Sequence, residues 1–171
     1  MYAHKLSLTA LSLGAALLFG TPAKSADLPK EGTFSGTYAG AFTLKTYTVG
    51  KERMVGVGDS NDFTVGKGFL DHMTWHCFTA FSVMTGMARF NGYCVVTDPA
   101  GDQIAADIAS DGTYPADAKT VPAKGTFTTG TGKYAGISGS LINVLHFNEF
   151  RTATEGTSAN YGEFQATYKL P

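Results

Sequence analysis

The chain has few charges, two cysteines, one tryptophan and, past its first twenty residues, no long apolar run. Each shortage excludes something. Charged side chains make up only 16% of the residues while 43% are apolar, a balance too greasy for a disordered chain. A basic surplus is also missing. Setting aside Lys5 and Lys24 near the start leaves 11 basic against 14 acidic side chains. Nucleic acid and anionic membranes both need a basic face, so neither is expected as a partner. Helical periodicity is scarce too, which argues against a bundle or an α/β fold.

What is present begins with a targeting pattern. Lys5 precedes the uncharged run Leu6–Gly20, and the small residues of "TPAKSAD" follow. A basic start, a short greasy stretch and small residues describe a secretory signal peptide over residues 1–26. The run falls short of the ~20 residues that a membrane-crossing helix needs. Residues 27–171 are then expected as one exported domain, periplasmic or secreted, with no membrane insertion after processing.

Period-two alternation dominates that domain. "TFSGTYAGAFTLKTYTV" sets Phe34, Tyr38 and Phe42 on one strand face, with Gly36 and Gly40 between them. "MTWHCFTAFSV", "ARFNGYCVVTD", "QIAADIA", "SLINVLHFNEF" and "YGEFQATYKL" read as further strands, with shorter ones near Arg53–Val57 and Gly125–Thr128. "VGKE", "TDPAGD" and "EGTSAN" read as turns, and "SDGTYPADAKTVPAKG" as an outer loop. About eight short antiparallel strands suit a closed barrel or a two-sheet sandwich. The all-β closed eight-stranded antiparallel barrel is preferred, because closure removes sheet edges and glycines let strands bend.

The two cysteines give a register. If Thr85-Gly86 is a two-residue turn between Met84 and Met87, Cys77 falls directly opposite Cys94 in a non-hydrogen-bonded pair. Such a pair brings Cα atoms to ~4.5 Å, within disulfide range. A Cys77–Cys94 bridge is expected in an oxidising compartment. The same register turns Met73, Trp75, Cys77, Thr79, Phe81 and Val83 to one side, joined by Ala88, Phe90, Cys94 and Val96. That apolar side is expected inside. Met73, Trp75, Phe81 and Phe90 are the candidate ligand-binding residues; in a barrel of this size they either line a small cavity or fill it.

Reactive constellations are harder to find. His72 and His76 flank "MTW" on one expected strand face, but residues four apart on a strand lie ~13 Å apart, too far to share one metal. They read as surface histidines, and no metal or cofactor is expected. His146 has no serine or aspartate at triad spacing. Asp98 and Asp102 in "TDPAGDQ" lack the alternating carboxylates of a calcium loop and read as a hairpin turn. Glu149, Arg151 and Glu155 in "NEFRTATEG" read as a salt-bridged rim that could also serve as an acid/base group.

The glycine-rich "TTGTGKYAGISGS" suggests a phosphate cradle but fails the test. A Walker loop ending in Gly132-Lys133 would need glycine at Phe127 and a hydroxyl residue at Tyr134. A dinucleotide fingerprint would need glycine at Ala135. Lys133 is then expected to be solvated and Tyr134 to pin a tight turn. With the strand that follows, Gly130, Gly132, Tyr134, Gly136 and Gly139 resemble the glycine-rich element of the allene oxide cyclase/dirigent-type barrels. "GYCVVTDPAGD" is similar to a segment of exported bacterial proteins of this barrel type, and the likeness spans about Cys77 to Leu170. The resemblance implies an eight-stranded, often self-associating barrel with an apolar cavity. The family's catalytic glutamate and active-site asparagines have no match here, so its cyclase activity is not carried over. Three readings follow: non-covalent binding of a small apolar molecule, an enzyme steering a reactive substrate in the cavity, or an oligomeric interaction module. The enzyme reading requires a polar group inside the barrel, and His146, Glu149 and Arg151 are its candidates.

Overall fold

A computed structural model describes residues 28–66, 68–147 and 155–171. The reading of residues 1–26 as a signal peptide lies outside them, as do Glu149, Arg151 and the side chain of Glu155. Among the described residues nine strands run in chain order: β1 (Glu31–Val49), β2 (Arg53–Val65), β3 (Thr74–Met84), β4 (Met87–Thr97), β5 (Gln103–Ser110), β6 (Tyr114–Pro115), β7 (Thr120–Gly130), β8 (Ser138–Phe147) and β9 (Glu155–Lys169). All neighbours are antiparallel, in the order β3-β2-β1-β9-β8-β7-β5-β4. Pairing of β3 with β4 then closes an eight-stranded barrel. The two-residue β6 only bridges to β4 at Met87 and Ala88.

The hairpin register holds as expected. Met84 faces Met87, Cys77 faces Cys94, and the two sulfurs are joined with Cα atoms 4.0 Å apart. Thr85 and Gly86 both adopt positive φ (49° and 78°), as a two-residue turn that follows strand twist requires.

Three boundaries differ from expectation. β2 continues through "GDSNDFTV" to Val65, and "EGTSAN" is the first part of β9, paired with β1 from Lys45 to Gly40. Both stretches are rich in residues that favour turns, but each pairs along its length with β1, and β3 also pairs the first up to Phe63, which overrides local preference. β7 begins at Thr120, so the outer loop is shorter, and Pro122 sits inside a strand. The Pro122 carbonyl accepts the Asp111 N–H just past the end of β5, so its missing donor interrupts no ladder.

One end of the barrel is plugged. The connection from β2 to β3 folds inward and buries Phe69, Leu70 and Met73. Phe69 stacks on Tyr168 with ring centroids 4.0 Å apart and meets Phe34, Phe127 and Tyr134 edge-on. The fully buried Thr64 hydroxyl holds this connection, donating to the Leu70 carbonyl (2.5 Å) and accepting the Met73 N–H (3.1 Å). A second, smaller cluster of Phe90, Val121, Ala123 and Phe147 packs toward the other end. The inward residues of β3 grade accordingly: Trp75 and Cys77 are buried, whereas Thr79, Phe81 and Val83 are half-buried.

Candidate functional site

Between the two clusters lies a cavity of about 160 Å³. Its wall carries the aromatic rings of Tyr38, Phe42, Trp75, Phe81, Phe90 and Phe164, and both bridged cysteines. Of the four candidate ligand residues, Trp75, Phe81 and Phe90 stand on this wall. Met73, 1% exposed, is packed in the plugged-end core instead. Met73 precedes β3, where the chain is already turning into the plug, so extrapolating strand alternation one step too far misassigned its surroundings.

The wall also has a polar section that the alternation pattern did not reveal. A single inward row crosses the sheet as Trp75, Asp62, Gly40, Asn160 and Phe147. β2 and β9 are not neighbours, since β1 runs between them. Asp62 and Asn160 can meet only because position 40 has no side chain. A Cβ there would come within 2.3 Å of Asp62 Oδ1. Across this gap Asn160 Nδ2 donates to Asp62 Oδ1 (3.0 Å), while Ser60 Oγ, two residues along the same strand, donates to Asp62 Oδ2 (2.9 Å). Gly162 does the same for Tyr38, whose hydroxyl a Cβ would approach to 2.4 Å. The Tyr38 hydroxyl thereby reaches Asn143 on β8 and accepts from its Nδ2 (3.2 Å).

Asp62 is 8% exposed and Asn160 5%. Burial pushes the Asp62 carboxyl above its ordinary value, although the Ser60 and Asn160 hydrogen bonds oppose this. Burial also raises the Tyr38 phenol; the Asn143 bond lowers it, and the neighbouring Asp62 charge adds to the rise. Neither group is paired with a cation among the described residues. Three polar atoms of wall residues have no hydrogen-bond partner among the described residues: Trp75 Nε1, Asn143 Oδ1 and Asn160 Oδ1. An unsatisfied buried polar atom costs about 1–3 kcal/mol, and all three belong to residues of this one wall.

The other candidates lie elsewhere. His146 points outward, stacked on Tyr161 and 2.8 Å from Glu163. His72 lies outside β3 and pairs with Asp71 (2.8 Å), whereas His76 on β3 pairs with Asp59 (3.1 Å). No group of three or more His, Cys, Asp and Glu able to hold a metal exists among the described residues.

The glycine loop contains one correction. Tyr134 does pin it, buried against Phe69 with its hydroxyl donating to Asp98 Oδ2 (3.2 Å). Lys133, however, is not merely solvated. Its ammonium forms an ion pair with the buried Asp98 carboxylate, and its backbone N–H reaches Asp102 (3.3 Å). Burial acts to raise the Asp98 carboxyl. The Lys133 ammonium and the N–H groups of Asp102 and Ala100 outweigh it and hold the carboxyl below the ordinary carboxylate value. The loop is therefore a clasp between the β4–β5 and β7–β8 connections on the plugged end. Its aspartates and lysine are spent on structure.

No protein-family model matches the chain, and no curated protein matches it. Among solved structures it is similar to the pterocarpan synthase dirigent protein, at 10% identity and a TM-score of 0.46, covering 84% of this chain and 88% of that one.

Proposed function

We propose that the protein is an exported barrel that holds one compact, largely apolar molecule in its interior, with the polar group of that molecule against Asp62 and Asn160. The observation that carries this reading is the cavity itself. Its volume of about 160 Å³ is comparable with the ~150 Å³ that accommodates benzene in an engineered protein core. Most of its wall is aromatic or aliphatic, with a few convergent polar groups, the usual make-up of a small-molecule site. Export fits the Cys77–Cys94 disulfide, which persists in oxidising compartments. Among the described residues no helix is long and apolar enough to cross a membrane.

A second reading, an enzyme that steers or protonates a bound substrate, is favoured by one observation. The interior polar group that such chemistry requires is present, as Asp62 rather than His146, and burial raises the pKa of its carboxyl, the direction that favours a proton donor. Binding is common to both readings.

Trp75 is the only tryptophan and stands on the cavity wall, so its fluorescence reports occupancy directly. Titration with toluene is expected to change its emission saturably. Ala88→Phe, which adds a ring to the wall beside Phe81 and Phe90, is expected to abolish that response while circular dichroism and thermal unfolding remain those of a folded barrel. A response that survives in a folded Ala88→Phe protein, or none in the wild type, contradicts the proposal.

A further inference from the structure

We infer that the molecule the cavity takes is an organic cation, a compact amine whose ammonium group lies against Asp62 and whose body lies among the aromatic rings. The inference rests on the binding reading above and adds the ligand's charge.

The starting point is a buried carboxyl with no ionic partner among the described residues. Asp62 faces inward on β2, 8% exposed, and its two hydrogen-bond donors, Ser60 and Asn160, are both neutral. No lysine, arginine or histidine lies within ion-pair distance of it among the described residues. The one lysine at the wall, Lys124, is exposed and engages Asp111 on the outside (3.0 Å). A carboxyl in such surroundings is settled either by a proton or by an incoming cation.

The rest of the wall favours the cation. Rings of Trp75, Tyr38, Phe42, Phe81, Phe90 and Phe164 surround the space, and aromatic faces attract a desolvated ammonium through their quadrupoles. The hydrogen-bond inventory points the same way. Asn143 Oδ1 and Asn160 Oδ1 are acceptors that no donor among the described residues fills. An ammonium head brings N–H donors and no acceptor, which matches the Asp62 carboxylate and the Asn160 amide oxygen beside it. A carboxylate ligand would add negative charge beside Asp62 and set an acceptor against the Asn160 amide oxygen. A neutral alcohol would bring one donor and leave the charge uncompensated. The one orphan donor, Trp75 Nε1, sits on the residue directly across from Asp62, where it can meet an oxygen elsewhere on the same ligand.

The test compares 2-phenylethylamine, 2-phenylethanol and phenylacetate, read by Trp75 emission on the disulfide-intact wild type and on Asp62→Asn. Charge-assisted hydrogen bonds are worth enough that the amine is expected to bind at least about tenfold more tightly than the alcohol, with phenylacetate not bound. Asp62→Asn is expected to reduce the amine's advantage to about threefold or less while the alcohol still binds. Asp62→Ser serves in its place if the asparagine variant does not fold. An alcohol that binds the wild type as tightly as the amine overturns this inference and leaves the binding reading standing. So does an amine preference that survives both substitutions. If none of the three compounds gives a saturable response, both fall together.

Discussion

Phe69→Ala is expected to lower the free energy of unfolding by about 3–5 kcal/mol, a large share of the ~5–15 kcal/mol that holds a domain of this size together. The reason is the position of the ring rather than its size alone. Phe69 lies on a connection, not a strand, yet it is 5% exposed and touches rings from β1, β7, β9 and the turn after β7. Strands fixed around a closed barrel cannot move inward to fill the space a lost ring leaves, so the cavity term adds fully to the transfer term. Phe69→Leu retains most of the volume and is expected to lose roughly half as much or less. Urea unfolding of both variants measures this. A loss under about 1 kcal/mol for the alanine variant would mean that the plug is not what closes this end.

The second large effect belongs to the disulfide. Replacing Cys77 and Cys94 together by alanine is expected to cost about 3 kcal/mol, because the bridge closes a loop with a sequence separation of 17 in the unfolded chain. For a domain of this size that amounts to roughly 6–12 °C in melting temperature. The double substitution is the clean comparison, since a single one strands a reactive thiol. Oxidised wild-type protein should unfold well above both the double variant and the reduced wild type, and those two should nearly coincide. Equal midpoints for oxidised and reduced wild type would show that the bridge does nothing for stability. Because both sulfurs face the cavity, the bridge also fixes the spacing of Trp75 and Phe90 on either side of it.

The hairpin around this bridge was the most legible part of the sequence. A two-residue turn and two cysteines fix a register, and the register fixes which face is apolar; all of that is local information. Asp62 and Asn160 were not legible for the opposite reason. "GDSNDF" and "EGTSAN" look like turns because their polarity hides the alternation. Only the pairing of β1 with both β2 and β9, residues far apart in sequence, makes them strands and aims the two side chains inward. The signal that could have found them is the pair of inward glycines, Gly40 and Gly162. In a strand otherwise lined with rings, each marks a place where a neighbouring side chain crosses over. Lys133 was misread for a related reason. Its partner Asp98 is on another hairpin, and nothing near either residue announces the ion pair.

The central claim is that the barrel interior exists to hold a small molecule. Native mass spectrometry of the protein purified from its own host addresses it most directly, run once under conditions that keep non-covalent complexes and once denatured. One additional small mass per barrel is expected, lost on denaturation and carried by a compact basic compound. A single mass equal to the bare chain under both conditions, from material whose Trp75 also fails to respond to toluene, would contradict it.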